Sequence, residues 1–436
     1  MIGGSVVRNV RRCLALGAAA TLTATLLAAC GGGNDGRPQL VWYTNPDSPP
    51  PPGFKGAFGQ AGIAARCSTA DYKITTQQLP GDASQQRIQL ARRLAAKDQG
   101  IDLMSLDPVF VSEFSNAGFL AKIPTDQAGQ LTTDTLEGAK KAATWDDKLA
   151  AAPLWANTQL LWYRKSIAEK AGLDMTKPVT WGQIIDAAAK TKTTVGVQAN
   201  KYEGYSVLIN ALVQGAGGDI VSDVSKGVDA KVDINSAAGK AAAGVLEKLA
   251  KSPAKMPDLS VSNEGTVLGP FGSPRGGFIV NWTFIYSQYK ADKTVSKDLG
   301  FTRYPRTTAD NASRPPLGGI DIGVNEASSH KSEALDALTC ITSAKNQAQY
   351  AAETGNMPSS SAAYAQKVLT KAYPADLLAA FQSSIEDAGP RPVTPYWSDI
   401  SSSLQSTWHP ASRVSPSTPK RSASFIKDVL DGSKLL

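Results

Sequence analysis

From residue 39 onward, short apolar runs alternate along the chain with longer stretches whose apolar positions have helical spacing. Leu40–Thr44 and Ile101–Leu106 are such runs, and Ser84–Lys97 between them has the spacing of a helix that buries one face. A strand, a helix and a strand in this order predict a parallel sheet flanked by helices. The fold class that we predict is therefore α/β.

Polar side chains follow two of the predicted strands. Asn45 and Asp47 come after the first strand, and Asp107 follows the second one directly. In open α/β sheets, ligands bind beyond the carboxyl ends of the strands. Asn45, Asp47 and Asp107 are therefore candidate ligand-binding residues.

A second block of elements begins after Pro153. Leu154–Tyr163 is predicted to form one apolar and aromatic strand, Thr180 is predicted to cap a helix, and Phe278–Trp282 is predicted to form another strand. Arg306–Pro316 is polar and ends in two prolines, which indicates a linker. A chain of 436 residues is too long for one ordinary domain and suits two.

The N-terminal segment has the three parts of a secretion signal: arginines near the start, the apolar run Leu14–Leu27, and small residues before Cys30. The run is short for a membrane-spanning helix. We predict a lipoprotein signal peptide over residues 1–29, a lipid on Cys30, and a flexible tether over residues 30–38. The protein would then sit on the extracytoplasmic face of the cell membrane. An ordinary cleaved signal with a chance cysteine is the alternative.

Charge and cysteine content narrow the choice of partners. Without the three arginines of the signal, the net charge of +7 falls to 7 − 3 = +4, which is mild. No basic run is interleaved with aromatic residues, so we expect no nucleic-acid partner. Beyond the signal and Cys30, only Cys67 and Cys340 remain, and such an exported pair is most simply a disulfide, with two free buried thiols as the alternative. With only two histidines and no paired-cysteine spacing, we expect neither a metal site nor a cofactor.

Several short motifs follow one another in a specific order along the mature chain. They are Val41-Trp42-Tyr43-Thr44, Asp102-Leu103-Met104-Ser105-Leu106-Asp107, Ala152-Pro153-Leu154-Trp155-Ala156-Asn157-Thr158, Val280-Asn281-Trp282, Leu317-Gly318-Gly319 and Asn356-Met357-Pro358. Their order and spacing resemble those of the extracellular sugar-binding proteins of ATP-driven importers, the family that includes maltose-binding protein. Residues 86–94, 157–164 and 391–395 are similar to the trehalose-binding lipoproteins of mycobacterial-type cell envelopes.

The resemblance implies a two-lobed periplasmic-binding-protein-like fold. Each lobe would be a β-sheet flanked by helices, and a hinge of several chain crossings would join the two lobes. We expect lobe 1 to contain residues 39–155 and 306–354, and lobe 2 to contain residues 156–305 and 355–436. The implied partners are a disaccharide ligand and the membrane permease subunits of an importer with a separate ATPase. We expect a monomer without a cofactor.

The resemblance also implies a ligand site. Residue by residue, the family's contacts fall on Asp107, Asn157, Glu264, Trp282, Gly318, Gly319 and Arg391, and after the first strand on Asn45 and Asp47. The subgroup has an Asn-Glu pair after that strand, whereas this chain has Asn45 and Asp47 among prolines. Carboxylate, amide and guanidinium groups bond sugar hydroxyls, and an indole face stacks on a pyranose. The subgroup also places a disulfide where Cys67 and Cys340 stand.

Three functions are compatible with these residues. The one we predict is a lipid-anchored binding protein for a disaccharide, with trehalose first and maltose-type oligosaccharides as an alternative. A secreted glycoside hydrolase would use Asp107 and Glu264 as its acid and nucleophile. The two-lobed pattern and the lack of a nucleophile elbow or phosphate loop argue against an enzyme. A lipoprotein that binds envelope components or other proteins is the third possibility.

Overall fold

The structure is a computed structural model that describes residues 36–47, 49–51 and 53–436. The predicted signal peptide, the predicted lipid site at Cys30 and most of the predicted tether lie outside these residues. Pro38–Leu436 form one folded unit. Within the described ranges, no helix has the length and apolar character needed to cross a bilayer.

Strands and helices are interspersed as far as Val324, and the elements of the described chain beyond it are helical. The strands are β1 (Gln39–Thr44), β2 (Lys73–Gln78), β3 (Leu103–Leu106), β4 (Thr144–Trp145), β5 (Lys148–Leu149), β6 (Ala152–Asn157), β7 (Gln159–Arg164), β8 (Thr194–Gly196), β9 (Val221–Ser222), β10 (Lys231–Val232), β11 (Gly276–Trp282), β12 (Leu299–Thr302) and β13 (Gly318–Val324). The helices are α1 (Gly59–Cys67), α2 (Ala83–Ala95), α3 (Pro108–Asn116), α4 (Thr125–Thr132), α5 (Glu137–Ala142), α6 (Lys165–Ala171), α7 (Trp181–Thr191), α8 (Glu203–Gln214), α9 (Ala237–Lys251), α10 (Leu268–Gly272), α11 (Ile285–Tyr289), α12 (Val295–Asp298), α13 (Lys331–Ile341), α14 (Ala344–Thr354), α15 (Ser361–Tyr364), α16 (Lys367–Ala372), α17 (Ala375–Glu386), α18 (Trp397–Trp408) and α19 (Thr418–Leu430). Short 3-10 helices cover Val224–Asp229, Leu259–Val261 and Ala411–Arg413.

The first sheet has five strands in the order β2-β1-β3-β13-β6. Strand β1 is parallel to both β2 and β3, as the strand-helix-strand pattern predicts. Strand β13 comes from much later in the chain and lies antiparallel between β3 and β6. The sheet is therefore mixed, and it draws together the carboxyl end of β3 and the glycine-rich start of β13.

The second sheet has four strands in the order β12-β7-β11-β8. The prediction of one strand over Leu154–Tyr163 is wrong, because β6 belongs to the first sheet and β7 to the second. Thr158 separates them: its backbone N–H donates to the Asn157 side-chain oxygen at 3.0 Å, and its hydroxyl donates to the Pro316 carbonyl at 2.9 Å. Both strands are buried, so their apolar runs join without a visible break in the sequence.

Helix boundaries follow local capping chemistry. Thr180 caps α7 as predicted, and its side chain forms a reciprocal capping box with Gln183. The apolar pattern does not predict every element, and α1, β2 and α14 are examples. Helix α14 begins after Ser343, whose side chain accepts from the backbone N–H of Asn346.

Two helices on the outer face of the first sheet are joined covalently. A disulfide with an S–S distance of 2.08 Å links Cys67 at the end of α1 to Cys340 near the end of α13. Their apolar faces pack with Leu40 and Trp42 of β1 in one buried cluster. The chain first passes from one sheet to the other at Thr158, and it returns to the first sheet between β12 and β13. The lobe boundaries given above stay a prediction.

Candidate functional site

A solvent-accessible cleft with a volume of about 280 Å³ is lined by residues of both sheets. Strand β6 and the start of β13 contribute from the first sheet, and the end of β11 contributes from the second. The lining residues are Asn45, Pro46, Gly81, Ala83, Gln86, Asp107, Trp155, Asn157, Tyr202, Glu203, Gly204, Val207, Glu264, Trp282, Phe284, Gly318, Gly319, Ile320, Asn356 and Arg391. The wall thus combines charged, amide and aromatic side chains.

The structure brings nearly all the predicted site residues together. Those that line the cleft are Asn45, Asp107, Asn157, Glu264, Trp282, Gly318, Gly319 and Arg391. They come from positions spread along most of the chain, and only the fold makes them neighbours. Asp47 is the exception.

Asp47 lies outside the cleft wall. Its carboxylate accepts hydrogen bonds from the backbone N–H of Gln60 at 2.7 Å and from the Tyr350 hydroxyl at 2.6 Å. Helix α1 has no side-chain cap from its own N-cap residue, Phe58, so Asp47 takes that role from a distance. Burial raises the pKa of Asp47, although these hydrogen bonds favour its charged form. Its position therefore does not support the predicted sugar contact.

Three charged side chains, Asp107, Glu203 and Arg391, form a buried ion group in the wall of the cleft. Asp107 ends β3 and caps α3 by accepting from the backbone N–H of Val109 at 3.2 Å. The Arg391 guanidinium donates to both oxygens of Asp107, with Nη1 at 3.1 Å from Oδ2, and Nη1 also donates to Glu203 at 2.8 Å. The Arg391 side chain is only 3% exposed. One arginine therefore pairs with two carboxylates that come from different elements, and the group of three keeps one excess negative charge.

Glu203 is the main residue that the sequence analysis left out of the site. It opens α8, lines the cleft, and accepts from Trp397 Nε1 at 2.8 Å and from the Ser401 hydroxyl at 2.5 Å. Burial raises the pKa of Glu203, while Arg391 favours its charged form. For Arg391, burial opposes the charge, but Asp107 and Glu203 outweigh burial and raise the pKa. In the sequence, Glu203 is only an acidic residue in the first turn of a helix, and its partner Arg391 lies 188 positions away.

Glu264 and Trp282 form the facing part of the wall. The carboxylate of Glu264 accepts from the Tyr202 hydroxyl at 2.7 Å, and burial raises its pKa. Trp282 lies against the glycines of β13: a Cβ atom built on Gly318 would stand 2.8 Å from its six-membered ring. Gly319 has a φ of +145°, and a Cβ there would stand 2.2 Å from the Trp155 carbonyl oxygen. Gly318 therefore lets the indole approach the strand, and Gly319 lets β13 lie close to the backbone of β6.

Two polar atoms of the cleft-lining residues are buried without a partner in the described part of the chain. They are Oδ1 of Asn45, an acceptor, and Nε of Arg391, a donor. Buried polar groups are nearly always hydrogen-bonded, so such orphaned atoms suit a polar ligand. Within the described ranges, no group of three or more acidic, histidine or cysteine side chains is placed to hold a metal ion.

Comparison with known proteins identifies the family. A sequence profile of the bacterial extracellular solute-binding proteins matches residues 56–348, more than half of the chain. The chain belongs to this family. The protein is a binding protein and not an enzyme, so the hydrolase alternative is set aside.

Relatives of this solute-binding protein span most of its length. The diacetylchitobiose binding protein DasA of Streptomyces coelicolor is 25% identical and covers 77% of this chain and 79% of its own. A probable ABC transporter-binding protein of Deinococcus radiodurans is 22% identical over 68% of this chain and 71% of its own. The structure of maltose-bound MalE3 of T. maritima superposes with a TM-score of 0.77, 21% identity, and coverage of 91% and 100%. The predicted two-lobed fold is confirmed.

Proposed function

We propose that this binding protein captures a disaccharide, with trehalose as the first candidate, and delivers it to the permease of an ABC importer whose ATPase is a separate chain. A lipid on Cys30 would hold it on the extracytoplasmic face of the cell membrane. The cleft carries the proposal, because carboxylates, amides, a guanidinium and an indole from both sheets meet around one space.

The chemistry of the wall suits a ring of hydroxyl groups. Asp107 and Glu264 accept hydrogen bonds from hydroxyls, while Arg391 Nε and Asn45 Oδ1 offer one unpaired donor and one unpaired acceptor. The Trp282 indole supplies an aromatic surface for the C–H face of a pyranose. A sugar lacking a recognised hydroxyl would leave a buried polar group unpaired, at about 1 to 3 kcal/mol per group.

The choice of trehalose rests on the sequence stretches 86–94, 157–164 and 391–395. The relatives named above carry diacetylchitobiose and maltose in their names, and both sugars are disaccharides. Maltose-type oligosaccharides are therefore the main competitor. A linkage that folds two glucose units into a short, compact shape suits a cleft of about 280 Å³ better than an extended glucan does.

Calorimetric titration of the mature protein tests the proposal. Trehalose, maltose, sucrose, diacetylchitobiose and longer glucans are titrated separately, and trehalose is expected to bind most tightly. Asp107→Asn should weaken binding strongly. Asp186→Asn is the matched control, because Asp186 is exposed and pairs with Lys248 outside the cleft. Tighter binding of another sugar would replace trehalose, and no binding of any sugar would defeat the proposed function.

Anchoring is tested separately from binding. Wild-type protein and Cys30→Ala are expressed in a lipoprotein-processing host with a radiolabelled or clickable fatty acid. Label and membrane association are expected for the wild type alone. Labelled Cys30→Ala, or unlabelled wild type, would contradict the lipid anchor while leaving the sugar proposal intact.

A further inference from the structure

A line of hydrogen bonds runs behind the cleft from Asp47 to Asn157. The Tyr350 hydroxyl donates to Asp47 at 2.6 Å and accepts from the side-chain amide of Asn356 at 3.1 Å. The Asn356 oxygen in turn accepts from Nδ2 of Asn157 at 3.3 Å. Asn157 and Asn356 line the cleft, whereas Asp47 and Tyr350 do not. We call these four residues the relay.

The direction of the relay is fixed at both ends. At one end, the Asp47 carboxylate is surrounded by donors, the backbone and side-chain N–H groups of Gln60 and the Tyr350 hydroxyl, so Tyr350 must donate to it. At the other end, the backbone N–H of Thr158 donates to Oδ1 of Asn157 at 3.0 Å. That contact identifies the Asn157 oxygen and turns its NH₂ group toward Asn356.

Packing holds the relay in place. Tyr350 is 1% exposed, and its ring stacks on Trp155 with centroids 4.9 Å apart and an interplanar angle of 24°. The Thr283 hydroxyl lies 2.6 Å from Oδ1 of Asn157 and 2.7 Å from the Gly355 carbonyl oxygen. Thr283, the residue that follows β11, thus ties Asn157 at the end of β6 to the second sheet.

We propose that Asp47 and Tyr350 are positioning residues that fix the Asn157 side chain as a hydrogen-bond donor toward the ligand. Oδ1 of Asn157 accepts hydrogen bonds from Thr158 and Thr283. One of the two hydrogens on Nδ2 of Asn157 is donated to Asn356. The remaining N–H is available to an acceptor in the cleft, such as a hydroxyl or glycosidic oxygen. This inference rests on the proposed sugar-binding function and adds a specificity rule: an oxygen lone pair of the ligand must meet Asn157.

Tyr350→Phe is the central variant, because it keeps the ring and the stack on Trp155 and removes only the hydroxyl. We expect sugar affinity to fall about five- to tenfold, which lies within the range of coupling between residues in one hydrogen-bond network. Tyr72→Phe is the matched control: Tyr72 is equally buried and donates to the Asp336 carboxylate at 2.9 Å, outside the cleft. The control should bind sugar like the wild type.

A double-mutant cycle separates positioning from general weakening. If Tyr350 acts through Asn157, then Tyr350→Phe should lose its effect on affinity in an Asn157→Ala background. Affinity losses that simply add would overturn the inference. A fall in melting temperature common to Tyr350→Phe and Tyr72→Phe would not explain an affinity loss seen in Tyr350→Phe alone.

Hydrogen–deuterium exchange of the ligand-free protein tests the relay without any sugar. The Thr158 amide hydrogen, which donates to Asn157, should exchange faster in Tyr350→Phe than in Tyr72→Phe. Unchanged exchange at Thr158 would overturn the inference whatever the titrations give. Faster exchange together with no sugar binding by the wild type would defeat the proposed function and leave the positioning of Asn157 standing.

Discussion

Arg391 has two roles that one substitution cannot separate. It lines the cleft, where it is a proposed ligand contact, and among the described residues it alone forms an ion pair with the buried Glu203. Removing one partner of a buried ion pair is strongly destabilising because the other charge stays buried without compensation. A loss of sugar binding in an Arg391 variant therefore needs a stability measurement beside it.

Arg391→Ala is expected to lower the free energy of unfolding by about 3 to 5 kcal/mol, because Glu203 loses its partner. Urea unfolding at neutral pH measures the change. The double variant Arg391→Met with Glu203→Gln removes the charges of these two residues and leaves only the partly exposed carboxylate of Asp107 without its guanidinium. It should therefore recover part of that stability while still failing to bind sugar. If the single and double variants were equally unstable, the uncompensated charge of Glu203 would not be the cause of the lost stability.

Asp321 supplies a prediction on pH. It lies in β13 opposite Leu106, is 1% exposed, and one of its oxygens has no partner among the described residues. Burial, and then the charge of Asp107, raise the pKa of Asp321 well above its usual value. The folded protein therefore takes up a proton that the unfolded chain releases above about pH 4, so stability falls as pH rises through the raised pKa.

Asp321→Asn removes this dependence. At pH 8 the variant should be more stable than the wild type by more than about 1 kcal/mol, and the gain should shrink as the pH falls toward 4. Urea unfolding at pH 5 and pH 8 provides the comparison. A variant that gains nothing at pH 8 would indicate that Asp321 is solvated or paired when charged.

At the scale of elements, the two glycines that open β13 differ in what they tolerate. Gly318→Ala meets the Trp282 ring, which can shift, so we expect weaker sugar binding and altered tryptophan fluorescence with a small change in melting temperature. Gly319→Ala meets the Trp155 carbonyl of the paired strand at a φ of +145°, so we expect a loss of stability instead. The reverse pattern would mean that Trp282 is held rigidly and the strand pair is not.

The disulfide between α1 and α13 acts on the unfolded chain. It closes a loop with a sequence separation of 273 residues, and the chain-entropy model assigns up to about 5 kcal/mol to a loop of that length. Replacing Cys67 and Cys340 together by serine should lower the urea midpoint and leave sugar affinity nearly unchanged, because neither residue lines the cleft. A large change in affinity would reveal coupling between these helices and the site.

The sequence predicted elements best where local chemistry determines them. The Thr180 cap follows from residues within one helical turn, and the parallel pairing of β1 follows from a strand-helix-strand pattern. Both predictions are confirmed. The apolar pattern of Leu154–Tyr163 predicts one strand, because apolar content does not show to which sheet a residue belongs. The surroundings of Asp47 and Glu203 could not be predicted for a related reason: their partners, Tyr350 and Arg391, lie far along the chain. Only the tertiary fold decides whether a carboxylate faces a ligand or a helix.

For the whole molecule, we expect the ligand to stabilise a form in which both lobes grip it. A ligand that binds only the folded protein adds about 2.7 kcal/mol at a concentration one hundred times its Kd. The melting temperature should therefore rise by several degrees, on the order of 5 °C, with saturating trehalose and not with mannitol. Equal shifts with both compounds would point to a solvent effect.

One residue, Thr158, connects β6 of the first sheet to β7 of the second, so the connection has no spare length. Side chains alternate along a strand, so a register slip of one residue turns each of them to the opposite face. An extra amino acid inserted beside Thr158 would present the apolar residues of Gln159–Arg164 to the wrong neighbours. The number of residues between β6 and β7 is therefore as strongly constrained as their identity. Family members that share this crossover should align here without gaps.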